Sequence, residues 1–287
     1  MSRLDRRLHA FRDDLADARL RGRVEADRFV EGRAAALAVG ATGLRREPGG
    51  RFDSQVLFGE PLLVFEEKGG WAWVQSEADG YVGYLETTAL APRHATATHR
   101  VAVRSTLLFP EPDIKAPIRE VLTLTTPLAV TGEEQRFAVT PHGYIRADHL
   151  APLSEPRLDY VETALDFLHT PYLWGGKSVA GVDCSGLLQL VLTAAGIACP
   201  RDTDIQEACA ELGPPVDREA PRQRGDLIFW KGHVAIALDA ERVVNATAHP
   251  LSTVVEPLAE LDARARADSQ DGITTVRRPS VDRGPHP

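Results

Sequence analysis

The chain has 287 residues, room for two domains at about 150 residues each or for three small modules. Lys and Arg number 33 against 41 Asp and Glu, a formal charge of −8, which argues against nucleic acid as a partner because phosphate neutralisation needs clustered cations. A hydrophobic share of 43% with 26% charged residues excludes wholesale disorder, and no window approaches the roughly 20 apolar residues that cross a bilayer.

Residues 1–30 place Leu4, Leu8, Phe11 and Leu15 near helical spacing, which predicts an amphipathic packing helix. The same stretch is charged throughout and lacks the apolar core of a secretory signal, so the expected location is the cytoplasm. From residue 34 to 152 the texture changes to short apolar runs between turn residues. LLVFEE, WAWVQSEA and YVGYL, separated by KGG and DG, read as three strands joined by tight turns. Alternation puts Trp71, Trp73 and Gln75 on one face of the middle strand, with Ala72 and Val74 on the other. A second series, LTLTTPLAVTG, EEQRFAVT and YIRADHLAP, echoes the first, and both close alike in GYVGYLETTALAP and HGYIRADHLAP. This reads as a duplicated small β-barrel, 31–92 and 96–153, whose aromatics Trp71, Trp73, Tyr81 and Tyr84 are mostly core.

After Pro156 the pattern becomes helix, then strand. RLDYVETALDFLHT carries Leu158, Val161, Leu165 and Leu168 on one helical face. A glycine-rich loop leads into CSGLLQLVLTAAG, a helix expected to end at Gly196. DLIFW, HVAIAL, RVVNA, STVVEP and GITTVRR follow as β-like runs. The expected fold class is α+β over 155–278, helices packed on an antiparallel sheet, with residues 279–287 as a tail.

Cys184, Cys199 and Cys209 are an odd set without a CxxC pair, so neither a disulfide framework nor a zinc site is expected, and no metal or organic cofactor is implied. Sparse cysteines are usually buried small hydrophobes. Cys184 departs from that, because Asp183-Cys184-Ser185-Gly186 lies where the glycine loop becomes a helix. A thiol there feels the positive end of the macrodipole, which favours thiolate, while Asp183 suits the N-cap and opposes thiolate by its charge. His233 heads a strand with Ala235 and Ala237 on its face, as expected if a helix packs closely and the imidazole points at its end. Asn245, on the next strand, and His249, in the turn after it, are the candidates for the third polar residue that fixes the imidazole's tautomer. Gly175-Gly176-Lys177-Ser178 imitates a phosphate-binding loop, but Pro171 stands where that pattern requires glycine.

Taken together, Pro171-Tyr172-Leu173-Trp174-Gly175-Gly176, Asp183-Cys184-Ser185-Gly186, Pro200-Arg201-Asp202-Thr203 through Gln206, and Gly225-Asp226 running to Gly232-His233 resemble the NlpC family of papain-like cell-wall cysteine peptidases. The N-terminal repeats resemble bacterial SH3-like domains. The resemblance implies Cys184 as nucleophile, His233 as general base, the third residue at Asn245 with His249 as substitute, and Tyr172 near the oxyanion. It implies substrate contacts at Trp174, Arg201 and an SH3-like tyrosine, Tyr81 or Tyr84, and a substrate ammonium would find a carboxylate and an acceptor in Asp183 and Ser185. The coupled SH3-like modules are similar to those of γ-D-glutamyl-L-diamino-acid endopeptidases, so the expected partners are peptidoglycan-derived peptides with a free N-terminal L-alanine, met during wall recycling. A papain-like acyltransferase would want an apolar lid or membrane helix, and the sequence shows neither. A non-catalytic wall-binding scaffold is opposed by the presence of both Cys184 and His233.

Overall fold

The computed structural model describes residues 4–93, 96–269 and 271–280, so most of the expected tail lies outside the described residues. The chain divides into two compact units, residues 1–153 and 154–287.

The first unit is β throughout. A seven-stranded antiparallel sheet runs in the order Phe52–Leu57, Ala41–Arg45, Val82–Glu86, Trp71–Ser76, Pro61–Lys68, Arg33–Leu37 and Leu90–Ala91. The expected strand–turn–strand series is present, and Trp71–Ser76 is buried on both faces. Ala72 and Val74 enter the barrel core with Leu62, Leu85 and Tyr81, while Trp73 packs on the other side with Phe65, Ala10 and Leu15.

That outer packing explains why the N-terminal segment is not a helix. Its one regular turn is the 3-10 turn Ala18–Leu20, flanked by the short parallel strands Leu15–Asp17 and Arg28–Val30. Asp5 and Asp17 accept from the backbone N–H groups two residues on, a local competitor to helix. Arg12 finishes the cover. Its guanidinium lies 4.4 Å over the Trp73 ring, donates to Tyr84 Oη at 2.6 Å and pairs with Glu66 at 2.7 Å.

Residues 96–153 form a five-stranded sheet, Glu120–Thr123, Ser105–Phe109, Gly143–Arg146, Phe137–Thr140 and Gly132–Glu134, beside a three-stranded one, Pro127–Leu128, His99–Val101 and Leu150–Pro152. The echoed sequence endings fold alike: Val82–Glu86 and Gly143–Arg146 each run through a 3-10 turn into a short closing strand. The two halves share a core, because Phe58 from the first packs among Val101, Leu108, Leu122, Leu128 and Ile145 of the second.

In the second unit the antiparallel sheet has the order Ser252–Pro257, Arg242–Thr247, His233–Ala237, Leu227–Trp230 and Thr275–Arg277, beside the helices Tyr160–Leu165, Cys184–Ala194, Thr203–Ala208 and Leu258–Ser269. Cys184–Ala194 packs against the two middle strands and ends at Gly196, φ +80°, as expected. The helix near residue 160 is shorter than its apolar spacing suggests. Asp159 caps it by accepting from Glu162 N–H, which leaves Leu158 outside and exposed; its buried residues are Tyr160, Val161, Thr163 and Ala164. Leu258–Ser269 has no counterpart in the sequence reading. Ala235 and Ala237 cluster with Trp230 and with Leu261 of that helix, so the small residues after His233 make room for it.

Candidate active site

The loop before Cys184 is folded by its glycines. Lys177–Ser178 pairs with Gly181–Val182, and Gly176 N–H closes a turn onto the carbonyl of Leu173. Gly186, in the first helical turn, lies so close to this loop that a Cβ there would fall 2.0 Å from the carbonyl oxygen of Gly176. Glycine at 186 therefore lets the loop seal against the helix start.

Asp183 is the expected N-cap. One carboxylate oxygen accepts from Gly186 N–H at 2.7 Å and Ser185 Oγ at 3.2 Å; the other accepts from Gly175 N–H at 2.8 Å and Arg201 Nη2 at 2.9 Å. Four acceptances fill the capacity of a carboxylate. The ammonium-binding role expected of Asp183 therefore has no open acceptor, and Ser185 is drawn into the same network by Arg201 Nη1 at 2.7 Å. Arg201 is 1% exposed and serves as the buried counter-charge to Asp183, which corrects its expected substrate contact. Tyr81 is likewise core of the first barrel, 4% exposed, its ring covered by apolar neighbours. Trp174 is 64% exposed on the loop.

Cys184 is buried at the first position of its helix. Burial pushes its thiol up to about 11 and Asp183 adds to this; the backbone N–H of Val234, the Thr203 hydroxyl at 3.9 Å and Arg201 act in the opposite direction. Burial thus outweighs the groups that would favour thiolate. Asp183 takes Gly186 N–H and its own carbonyl takes Leu187 N–H, which leaves the Cys184 and Ser185 amides to face an incoming oxyanion. Tyr172 neighbours the thiol: burial and the charges of Cys184 and Asp183 push its phenol above the ordinary value of 10.

Val234 N–H at the sulfur places the start of the His233 strand against the helix start. The imidazole is half-buried beside the Trp230 ring, 6.0 Å between centroids, and its desolvation holds it below the ordinary 6.5. His233 Nε2 lies 3.0 Å from Asn245 Oδ1. Asn245 Nδ2 donates to Glu256 Oε1 at 2.9 Å, and Glu256 is paired in turn with Arg264. Of the two candidates for the third residue, Asn245 is the one brought to the imidazole; His249 is exposed in the turn beyond. With Asn245 Oδ1 accepting from Nε2–H, Nδ1 is left as the basic nitrogen.

Thr203, Glu256 and Arg264 are given no role by the sequence alone. Thr203 stands inside a quoted motif, whereas Glu256 and Arg264 carry no local signal. Cys199 is buried, as expected, whereas Cys209 is partly exposed with its Sγ 3.1 Å from Glu211, which departs from the expected burial. Among the described residues no group of three His, Cys, Asp or Glu is arranged to hold a metal ion, and no helix is long and apolar enough to cross a membrane.

Comparison with known proteins places two stretches of the chain among described families. Residues 169–263 match the NlpC/P60 family, and residues 44–90 match the bacterial dipeptidyl-peptidase Sh3 domain. The chain is 29% identical to dipeptidyl-peptidase 6 of Lysinibacillus sphaericus over 77% of this chain and 90% of that one. It is 31% identical to γ-D-glutamyl-L-lysine dipeptidyl-peptidase of Bacillus subtilis (strain 168) over 62% of this chain and 63% of that one. The crystal structure of an NlpC/P60 family protein from Bacillus cereus superposes with a TM-score of 0.73 at 22% identity, over 86% of this chain and 99% of that one, and shows the same fold.

Proposed function

We propose that this chain, an NlpC/P60 cysteine peptidase with an SH3-type barrel before it, hydrolyses the γ-D-glutamyl-L-diamino acid bond of peptidoglycan stem peptides. The observation that carries the reading is the sequence of contacts from Cys184 Sγ to Val234 N–H and from the adjoining His233 through Nε2 to Asn245 Oδ1 at 3.0 Å. A raised thiol and a lowered imidazole support a neutral resting pair. His233 Nδ1 takes the proton as sulfur attacks the γ-carbonyl of D-glutamate, and the Cys184 and Ser185 amides hold the oxyanion. The imidazolium returns that proton to the departing amine of the diamino acid. Water, deprotonated by the same imidazole, then hydrolyses the thioester and frees the carboxylate and the thiol.

The names of the relatives support the finer reading, since a dipeptidyl-peptidase removes two residues from a free amino end. The proposed substrate is accordingly a released stem peptide beginning with L-alanine, of the kind met in wall recycling. The echoed closing strands support a second SH3-like module at 96–153.

Mass spectrometry of L-Ala-γ-D-Glu-diamino acid, incubated with wild type and with Cys184→Ala, tests the reading. Release of L-Ala-D-Glu by wild type alone, lost when the tripeptide is N-acetylated, is expected. Cleavage of intact sacculi as readily as of the tripeptide would overturn the recycling role, and cleavage of neither would overturn the peptidase.

A further inference from the structure

Resting on that catalytic reading, we infer that Glu256, held by Arg264, is a positioning residue: it sets which end of the Asn245 amide meets His233, and so keeps Nδ1 as the base. A side-chain amide is symmetric in shape and opposite in chemistry at its two ends, so Asn245 alone does not decide the imidazole's tautomer. With Oδ1 toward the ring, Asn245 accepts Nε2–H and the lone pair sits on Nδ1. Turned by 180°, its NH2 would donate to Nε2, and the ring would carry its proton on Nδ1 and lose its function as base.

Glu256 removes the ambiguity. An ionised carboxylate has acceptors only, so the amide end 2.9 Å from Glu256 Oε1 must be the NH2. The placement follows from strand pairing. Arg242–Thr247 and Ser252–Pro257 are antiparallel with Asn245 opposite Val254 and Val243 opposite Glu256, so Asn245 and Glu256 are diagonal neighbours on one face. Arg264, on the helix that begins directly after Pro257, pairs with the second carboxylate oxygen and holds Glu256 oriented. The relay runs Arg264, Glu256, Asn245, His233, and every member uses a different polar atom. The charges acting on His233 are Glu256, which raises its pKa, Arg264, which lowers it, and Asp183, which raises it; Cys184 lies at the neighbouring Val234 N–H. Glu256 therefore has a second effect: its charge partly offsets the lowering by burial.

The experiment compares wild type, Glu256→Leu, Glu256→Gln and Arg264→Leu in the full chain. Imidazole 15N NMR, with His233→Gln to assign the resonance, reads the tautomer directly. Wild type is expected wholly in the Nε2–H form. Glu256→Leu is expected to populate the Nδ1–H form, with kcat on the tripeptide lowered by about 10- to 100-fold at nearly unchanged KM, the range for loss of an orienting partner. Glu256→Gln offers a single oxygen for which Arg264 and the Asn245 NH2 compete, so it is expected to populate the Nδ1–H form less than Glu256→Leu does, while the acid limb of its pH–rate profile moves to lower pH. Arg264→Leu is expected to loosen the tautomer preference less than Glu256→Leu and to move the acid limb to higher pH, because Arg264 lowers the His233 pKa. An unchanged tautomer in Glu256→Leu, or an acid limb in Glu256→Gln that stays in place, would overturn the inference. Should the leucine variant fail to fold, the glutamine variant decides by its acid limb. Because the NMR measurement needs no substrate, a protein that cleaves no tripeptide would refute the proposed reaction and still report on the relay.

Discussion

Asp183 and Arg201 form a buried ion pair, Oδ2 to Nη2 2.9 Å, with side chains 9% and 1% exposed. The pair fastens the motif after the Cys184 helix to the helix start, and it converts a carboxylate that would oppose thiolate formation into a compensated one. Removing the cation leaves an uncompensated buried charge, which costs about 3–5 kcal/mol. Arg201→Met is therefore expected to lower the calorimetric transition of the C-terminal unit, with the N-terminal transition unmoved. The check is differential scanning calorimetry, in which equal loss in both transitions would contradict the assignment.

The raised thiol and lowered imidazole fix a pH signature. A neutral pair is competent above the His233 pKa, which burial holds below 6.5, and below the Cys184 pKa of about 11. The profile of kcat/KM on the tripeptide is expected to show an acid limb below pH 6.5 and a broad plateau through neutral and mildly alkaline pH. An acid limb well above 6.5 would mean that His233 is charged in the resting enzyme.

Alkylation separates the base from the nucleophile. If His233 is the base, its removal in His233→Ala leaves the raised thiol without that proton acceptor, so iodoacetamide labelling of Cys184 at pH 7 is expected to fall at least tenfold, recovering only as pH approaches 11. Peptide mapping distinguishes Cys184 from Cys209, the more exposed thiol. Labelling of Cys184 at wild-type rate in the variant would remove His233 from the role of base.

Gly186→Ala tests the seal between loop and helix. The added Cβ would meet the Gly176 carbonyl at 2.0 Å, so backbone must shift, at about 1–3 kcal/mol. Because the displaced segment adjoins Cys184, kcat is expected to fall by more than the change in melting temperature accounts for. Steady-state kinetics beside thermal unfolding measures both.

In the first barrel, Arg12→Ala removes a stacked guanidinium, an ion pair and a phenol contact at once. A loss of about 1–2 kcal/mol is expected for a half-buried cation over indole with its partners. Limited proteolysis within residues 4–30 is expected to accelerate. Arg12→Lys is expected to behave nearly as Ala, since ammonium cannot reproduce the planar stack.

The sequence made local features legible. Asp183 as cap, Cys184 at a helix start, Gly196 at its end and the alternation around Trp73 depend on neighbours within a few residues, and all are present in the structure. Features set by register or distant packing were not. The spacing of Leu4, Leu8, Phe11 and Leu15 imitates a helix, yet Leu15 and Ala10 are spaced to cover Trp73 and Phe65. Leu258, Leu261 and Ala265 do carry a helical spacing, but charged residues between them hide it in a mean over the window. Glu256 becomes visible only once Asn245 is known to lie opposite Val254. Arg201 resembles a substrate contact until the burial of its guanidinium is known.

Phe58 carries a lesson about where this chain can be cut. The repeat in the sequence invites a division near residue 94, one barrel on each side, but this phenyl ring belongs by sequence to the first and by packing to the second. A fragment ending there would display the ring to solvent, and a fragment beginning there would hold a ring-sized void, a defect of about 3–5 kcal/mol. In a module of about sixty residues that approaches the whole margin of stability. A gene fusion or domain graft that carries the second barrel without the first would therefore leave out a ring on which the second core depends.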